Sequence, residues 1–213
     1  MKTKKKALLM TLCAVMLVVA SVMGTMAYLT SQDSVTNTFT VGNVQIKLDE
    51  AKANPDGALV QGADRVKENS YKLLPGHTYN KDPMVTVLKG SESSYVKMTV
   101  TFSKAAELDD IFAPGADMTS IFNGYDSTNW TYKGNTENTT ANTRTYEFWY
   151  KETVAAPDAD VALDALFDSI TVPESITNAQ LATIEGMTIT VNAYAIQADG
   201  FDSAEKAWVA YEE

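Results

Sequence analysis

The sequence predicts an all-β fold: an antiparallel β-sandwich carrying a few short helical insertions. Three observations lead there. Apolar and polar residues alternate with period 2 over most of the chain, turn sequences punctuate the alternating runs, and helical periodicity is scarce. Alternation of this kind gives a strand one dry face and one wet face, and a single chain hides the dry faces by packing two antiparallel sheets together. A parallel α/β fold would need helical patterns between the strands.

The elements follow in chain order. Val35–Val41 is the first candidate strand, followed by Val44–Asp49, where Val44, Ile46 and Leu48 share a face opposite Gln45, Lys47 and Asp49. Asn54-Pro55-Asp56-Gly57 and Leu74-Pro75-Gly76 are turn signals. Met84–Leu88 is a short strand, and Tyr95–Phe102 sets Val96, Met98, Val100 and Phe102 against Lys97, Thr99 and Thr101. A short helix is expected within Ala105–Phe112, a turn at Ala113-Pro114-Gly115, a strand at Trp130–Lys133 and a solvated Asn/Thr loop over Asn135–Thr143. Thr143–Lys151 alternates Tyr146, Phe148 and Tyr150 with Thr145, Glu147, Trp149 and Lys151. A second helix is expected within Ala159–Leu166, a strand over Phe167–Val172, and a long strand over Met187–Gln197. The last helix begins after Asp202 or Ser203, either of which can cap Ala204 to Trp208. Trp149 and Tyr194 fall opposite the apolar stripes, which marks either a sticky outer surface or, the favoured reading, sheet faces partly covered by loops or helices.

Ahead of these elements stands a leader. Lys2, Lys4, Lys5 and Lys6 are followed by an apolar run from Ala7 to Met23, then by Thr25 and Ala27 as small residues before Tyr28. This is the three-part pattern of a secretory signal peptide cleaved between Ala27 and Tyr28; the rival is an uncleaved N-terminal anchor, through which alone the chain would meet a membrane. The expected organisation is a signal peptide over 1–27, an N-terminal arm over 28–41 and one β-sandwich over 42–213. The sole cysteine, Cys13, lies in the leader, so the exported chain has no thiol and no disulfide.

The chain has 213 residues, with 17 basic and 27 acidic groups and a net charge of −10. Past residue 27 the balance is 13 basic against 27 acidic, a net −14, which repels phosphate backbones and anionic lipid and argues against a nucleic-acid partner. Chemistry is equally sparse. The one histidine, His77, sits in a Pro-Gly turn, whereas a zinc site or a Ser/His/Asp triad needs an imidazole set or a marked serine elbow. No phosphate-cradling or dinucleotide glycine motif is present. Asp158, Asp160 and Asp164 lie close in sequence without the spacing of a calcium loop, so no cofactor is expected beyond loosely bound calcium.

Three segments carry a family resemblance. They are the Lys-rich leader with Gly24-Thr25-Met26-Ala27-Tyr28-Leu29-Thr30 and the strand–Gly42–strand sequel, the Leu73-Leu74-Pro75-Gly76-His77-Thr78-Tyr79-Asn80-Lys81-Asp82-Pro83 turn, and the closing strand Thr188–Gln197. Together they resemble the TasA/camelysin family of exported Gram-positive proteins, whose signal peptides are processed by a SipW-type signal peptidase. Residues 104–165 carry no such likeness. The resemblance implies a jelly-roll sandwich, secretion to the cell surface or extracellular matrix, and assembly of identical subunits into biofilm fibres, with the N-terminal segment of one subunit completing the sheet of the next. The matching segment is Tyr28–Val41, with Val35, Asn37, Phe39 and Val41 as the candidate self-assembly residues. Strand addition to an open sheet edge uses main-chain hydrogen bonds, and head-to-tail addition does not close. A minor fibre-associated protein is a further expected partner. Two other readings stand beside this one: a monomeric surface adaptor that anchors fibres, and an exported metallopeptidase, a label that camelysin members carry but that His77 alone cannot support.

Overall fold

The computed structural model describes residues 42–112 and 117–212, together with Lys6, Met10, Cys13 and Met16 of the leader. The chain divides into two units, 1–41 and 42–213. Of the first, the four described residues are helical. No helix among the described residues is long and apolar enough to cross a membrane.

The second unit is an all-β antiparallel sandwich with short helices. Its elements are β1 (Ile46–Asp49), β2 (Thr78–Asn80), β3 (Met84–Val87), β4 (Ser91–Ser103), α1 (Ala105–Phe112), α2 (Met118–Ile121), β5 (Phe122–Asn123), β6 (Trp130–Asn138), β7 (Thr143–Tyr150), β8 (Val154–Ala156), β9 (Val161–Ala162), β10 (Ser169–Thr171), α3 (Asn178–Thr183), β11 (Ile189–Gln197) and α4 (Ala204–Glu212). One layer is the sheet β11-β4-β7-β6, with β8 continuing alongside the start of β4; β1-β3-β9 and β2-β10-β5 are smaller sheets. Val96, Met98, Val100 and Phe102 of β4 are fully buried, as the alternation requires. They join Val85 and Val87 of β3, Phe122 of β5, and Tyr146 and Phe148 of β7 in one core. Phe122 is its hub, with ring centroids 4.5 Å from Phe167, 5.4 Å from Tyr146 and 5.8 Å from Phe102.

The outer face of the large sheet is covered by α4. Trp208 packs 6.2 Å from Trp149, and Tyr211 lies 5.8 Å from Tyr194. The Lys97 ammonium lies 4.7 Å from the Trp208 ring and 3.1 Å from Glu212, a buried cation held by aromatic faces and a carboxylate. Trp208 Nε1–H has no partner among the described residues, which weakens the docking of this nine-residue helix.

Two expectations need correction. Ala159–Leu166 is not a helix: Val161–Ala162 pairs with β3, and Leu163 N and Leu166 N donate to Val85 O (2.8 Å) and Pro83 O (3.0 Å). Leu163, Leu166 and Phe167 have helical spacing, but the backbone groups along β3 hold the chain extended, so tertiary pairing overrides local preference. Asn135–Thr143 is not wholly loop either. β6 runs on to Asn138, paired with Thr143, and the connection shrinks to 139–142. Its side chains stay exposed, so a polar sequence tolerates the ribbon.

Three elements without an apolar alternation went unread in the sequence: β2, β5 and β8, each of two or three residues. α3 is not among the helices expected from the sequence, although Thr177 and Gln180 carry the Thr-x-x-Gln signature, and their side chains bond reciprocally. Lys104, in a left-handed conformation, donates to Thr183 O (2.8 Å) and Glu185 O (2.6 Å) and so caps the far end of that helix.

Arg144 ties α1 to the large sheet. Its side chain is buried, forks onto both carboxylate oxygens of Asp109, and reaches Glu137 at 2.9 Å. Arg144→Met is expected to destabilise the domain by about 3 kcal/mol, read as a lowered denaturant midpoint. Arg144→Lys should recover only part of this, because an ammonium cannot reproduce the paired fork.

Candidate functional site

A groove lies where two sheet edges face each other. One wall is Leu48–Glu50 at the end of β1, the other Ile189–Val191 at the start of β11, and Lys81 and Pro83 lie between them. This part encloses about 350 Å³ and continues into a wider cleft of about 910 Å³ bounded by residues 68–73 and 181–189. A small apolar cavity of about 40 Å³ sits behind it, bordered by Tyr71, Phe102 and Ile189. Groove volumes of this size are those of small-ligand clefts.

The wall formed by β1 is tied down. Glu50 exchanges both backbone bonds with Val66 (2.9 and 2.7 Å), and Lys67 Nζ donates to Leu48 O at 2.5 Å. Arg65 clasps Asp49 (2.5 Å) and Asp82 (2.8 Å) and also donates to both of their carbonyls, so the loop over 65–69 is stapled across the end of β1. Below it, Lys81 and Glu50 form a buried ion pair at 2.6 Å, and Asn69 donates to the other Glu50 oxygen. Glu50→Gln leaves the Lys81 ammonium buried with a weaker partner and is expected to cost about 3 kcal/mol in a denaturation experiment.

Burial pushes the Asp49 carboxyl up, but hydrogen bonds from Lys47 and Arg65 outweigh it and hold the group below the usual carboxylate range. A carboxylate depressed in the folded state contributes stability above its unfolded pKa of about 3.9 and loses it as pH falls through the lower folded value. Thermal midpoints should therefore be level between about pH 5 and 8 and drop below about pH 4, and Asp49→Asn should flatten part of that drop.

The wall formed by β11 has no second strand partner, although the end of β1 packs close to its start. Among the described residues β11 pairs with β4 alone. Thr188 and Ser103 are opposite one another and bonded (3.0 Å), as are Ala198 and Ser93 at the other end (2.8 Å). In an antiparallel pair bonded residues alternate, so the even-numbered residues bond β4. Ile189, Val191, Ala193 and Ala195 therefore point their N–H and C=O groups away from β4, and the same four side chains pack against the core.

The two edges of the large sheet differ in chemistry. β6 carries Lys133, Glu137 and a bulge at Gly134, the devices by which proteins discourage edge pairing. β11, Ile-Thr-Val-Asn-Ala-Tyr-Ala-Ile-Gln, has nine residues with no charge, no proline and no glycine. That contrast could have been read from the sequence once the edge strands were known, but strand order was not legible.

The cleavage residues Ala27 and Tyr28 and the self-assembly residues Val35, Asn37, Phe39 and Val41 lie outside the described residues. His77 is exposed in its turn, and no group of three or more metal-ligating side chains is found among the described residues. No known protein family, curated protein or solved structure matches this chain.

Proposed function

We propose that this protein is a structural subunit of extracellular biofilm-matrix fibres, exported through its leader and polymerising by addition of Tyr28–Val41 of one subunit to the next. The observation that carries this reading is the edge of β11: nine residues, uncharged and unbulged, with no strand partner other than β4 among the described residues. A soluble monomer normally guards such an edge, as β6 is guarded here. A Thr/Ser-rich arm with Val35, Phe39 and Val41 on one face has the pattern that an added edge strand needs. Signal cleavage at Ala27–Tyr28 would act as the switch, because an arm tethered to the membrane cannot reach a neighbour. Identical subunits are then the main partner, with the SipW-type peptidase upstream and no cofactor required.

Negative-stain electron microscopy with light scattering on the chain beginning at Tyr28 tests this. Regular thin filaments are expected. Persistent monomers at high concentration would sink the reading and favour an adaptor that needs a second protein.

A further inference from the structure

Three spaces meet at one lysine. Lys81 and Ile189 border the groove beside β1, the wide cleft and the apolar cavity behind them. Tyr71, Leu73, Ile184 and Met187 border both cleft and cavity and form the neck between the two. We infer that this site binds a neutral straight-chain amphiphile, of the class of medium-chain ketones and esters, with its oxygen on Lys81 Nζ and its alkyl end in the cavity.

The polar groups at the floor single out Lys81. It is 8% exposed, and among the described residues its ammonium has one acceptor, Glu50 Oε2 at 2.6 Å. An ammonium carries three N–H donors, so two remain without an acceptor among the described residues. Its polar neighbours are satisfied. The Asn69 amide donates to Glu50 Oε1 (3.0 Å) and Ala51 O (2.9 Å) and accepts from Ala53 N (2.9 Å). Tyr71 O–H donates to Asn80 O at 2.7 Å. A buried donor without an acceptor is costly, so the two Lys81 N–H groups call for an oxygen in the groove.

Charge decides that this oxygen is neutral. Glu50 already neutralises Lys81, and Arg65 is spent on Asp49 and Asp82. Groove and cleft together present Asp49, Glu50, Glu68 and Glu185 against Lys67, Lys72 and Lys81. A carboxylate would add to that acidic surplus beside Glu50, and a cation would meet the Lys81 ammonium.

Volume decides the shape. The cavity of about 40 Å³ is well below the roughly 150 Å³ that admits benzene, so it takes an alkyl end and excludes a ring. The residues that border the cavity but not the cleft include Phe102, Ile111, Phe112 and Val172, all apolar. An unfilled space of this kind forfeits dispersion contacts that a close-packed core makes, and an alkyl end restores them. The cleft of about 910 Å³ accommodates the rest of the molecule. Both walls are held in place: Arg65 staples the loop over 65–69, and Lys104 fixes the finish of α3 through Thr183 O and Glu185 O. The site is thus preformed, as small-ligand clefts are.

The test titrates the methyl ketones from hexanone to nonanone into the chain beginning at Tyr28, whose core starts at Ile46, by calorimetry. Affinity is expected to rise about fourfold per methylene, the value of burying one CH₂. Nonanoate and nonylammonium are expected to bind at least about tenfold more weakly than nonanone. Methyl-labelled methionine reports the position by NMR. This chain has four methionines, Met84, Met98, Met118 and Met187, and of these Met187 alone borders the site. Its methyl signal should shift to saturation while those of Met84 and Met118 stay.

Two variants separate the ends of the ligand. Lys81→Met/Glu50→Gln removes the donor and both buried charges, keeps an acceptor for Asn69, and should weaken nonanone by about tenfold or more with the gain per methylene intact. Ile184→Phe narrows the neck and should remove that gain. Melting curves show whether each variant is folded; if one is not, the titrations of the unchanged chain decide. Nonanoate or nonylammonium binding as tightly as nonanone would overturn the neutral ligand, and unchanged nonanone affinity in the folded double variant would overturn Lys81 as its contact. A fixed Met187 signal, or affinity that does not depend on chain length, would overturn the site.

Discussion

Removal of Tyr28–Val41 is expected to abolish filaments while leaving a folded monomer. The described core starts at Ile46 and involves β3, β4, β5, β7 and β10, so it does not depend on the arm. The truncated chain should therefore melt cooperatively, within a few degrees of the full one. The arm, by contrast, would supply the whole of the intersubunit contact. Burying Val35, Phe39 and Val41 contributes about 1.5–3 kcal/mol each. No other contact replaces this one in the fibre reading, so losing the arm should be close to all-or-none. Light scattering and microscopy of both chains at matched concentration decide it. If the truncated chain polymerised as well as the full one, the arm would have no part in assembly.

A proline at Ala193 is expected to remove assembly with little effect on the fold. Ala193 turns its N–H to the open edge, so the substitution deletes a donor that β4 does not use, at a position where proline is tolerated on edge strands. An incoming strand loses that bond and meets the pyrrolidine ring, which should raise the concentration needed for filaments by about tenfold or more, one lost bond being worth about 1 kcal/mol before the steric cost. Asn192→Pro is the control. Asn192 lies opposite Thr99 and bonds β4, so proline there breaks the existing ladder and should cost about 3 kcal/mol of stability. If both variants melted alike, or if Ala193→Pro still made filaments at the original concentration, the assignment of β11 as the acceptor would fail.

Long alternating runs were readable because the side-chain period of a strand is independent of its neighbours. Val96, Met98, Val100 and Phe102 are buried as a set, and Tyr146 and Phe148 likewise. α1 covers Ala105–Phe112, the segment its pattern predicts, and α4 follows Ser203. The expected cover over Trp149 and Tyr194 is present in the form of α4. Reading stopped where pairing rather than pattern decides. Leu163, Leu166 and Phe167 carry helical spacing, yet the edge of β3 holds them extended. Asn135–Asn138 has loop composition, yet it pairs with β7 because a wet ribbon asks for no apolar face.

The candidate site divides in the same way. The arm and its apolar stripe are properties of local sequence, and so is the presence of a single histidine, His77, and of a single cysteine, Cys13, in the leader. The groove is not. It arises from β1 and β11, about 140 residues apart in the chain, and from the loop that Arg65 staples over β1. Which strand lies at an edge, and whether that edge is guarded by Lys67 or left bare, depends on hydrogen bonds between distant segments. The alternation of Ile189 to Gln197 by itself determined that one face of this strand is buried; only the tertiary structure decided that β4 satisfies one side of its backbone and leaves the other open, because period 2 encodes the face of a strand and carries nothing about its neighbours.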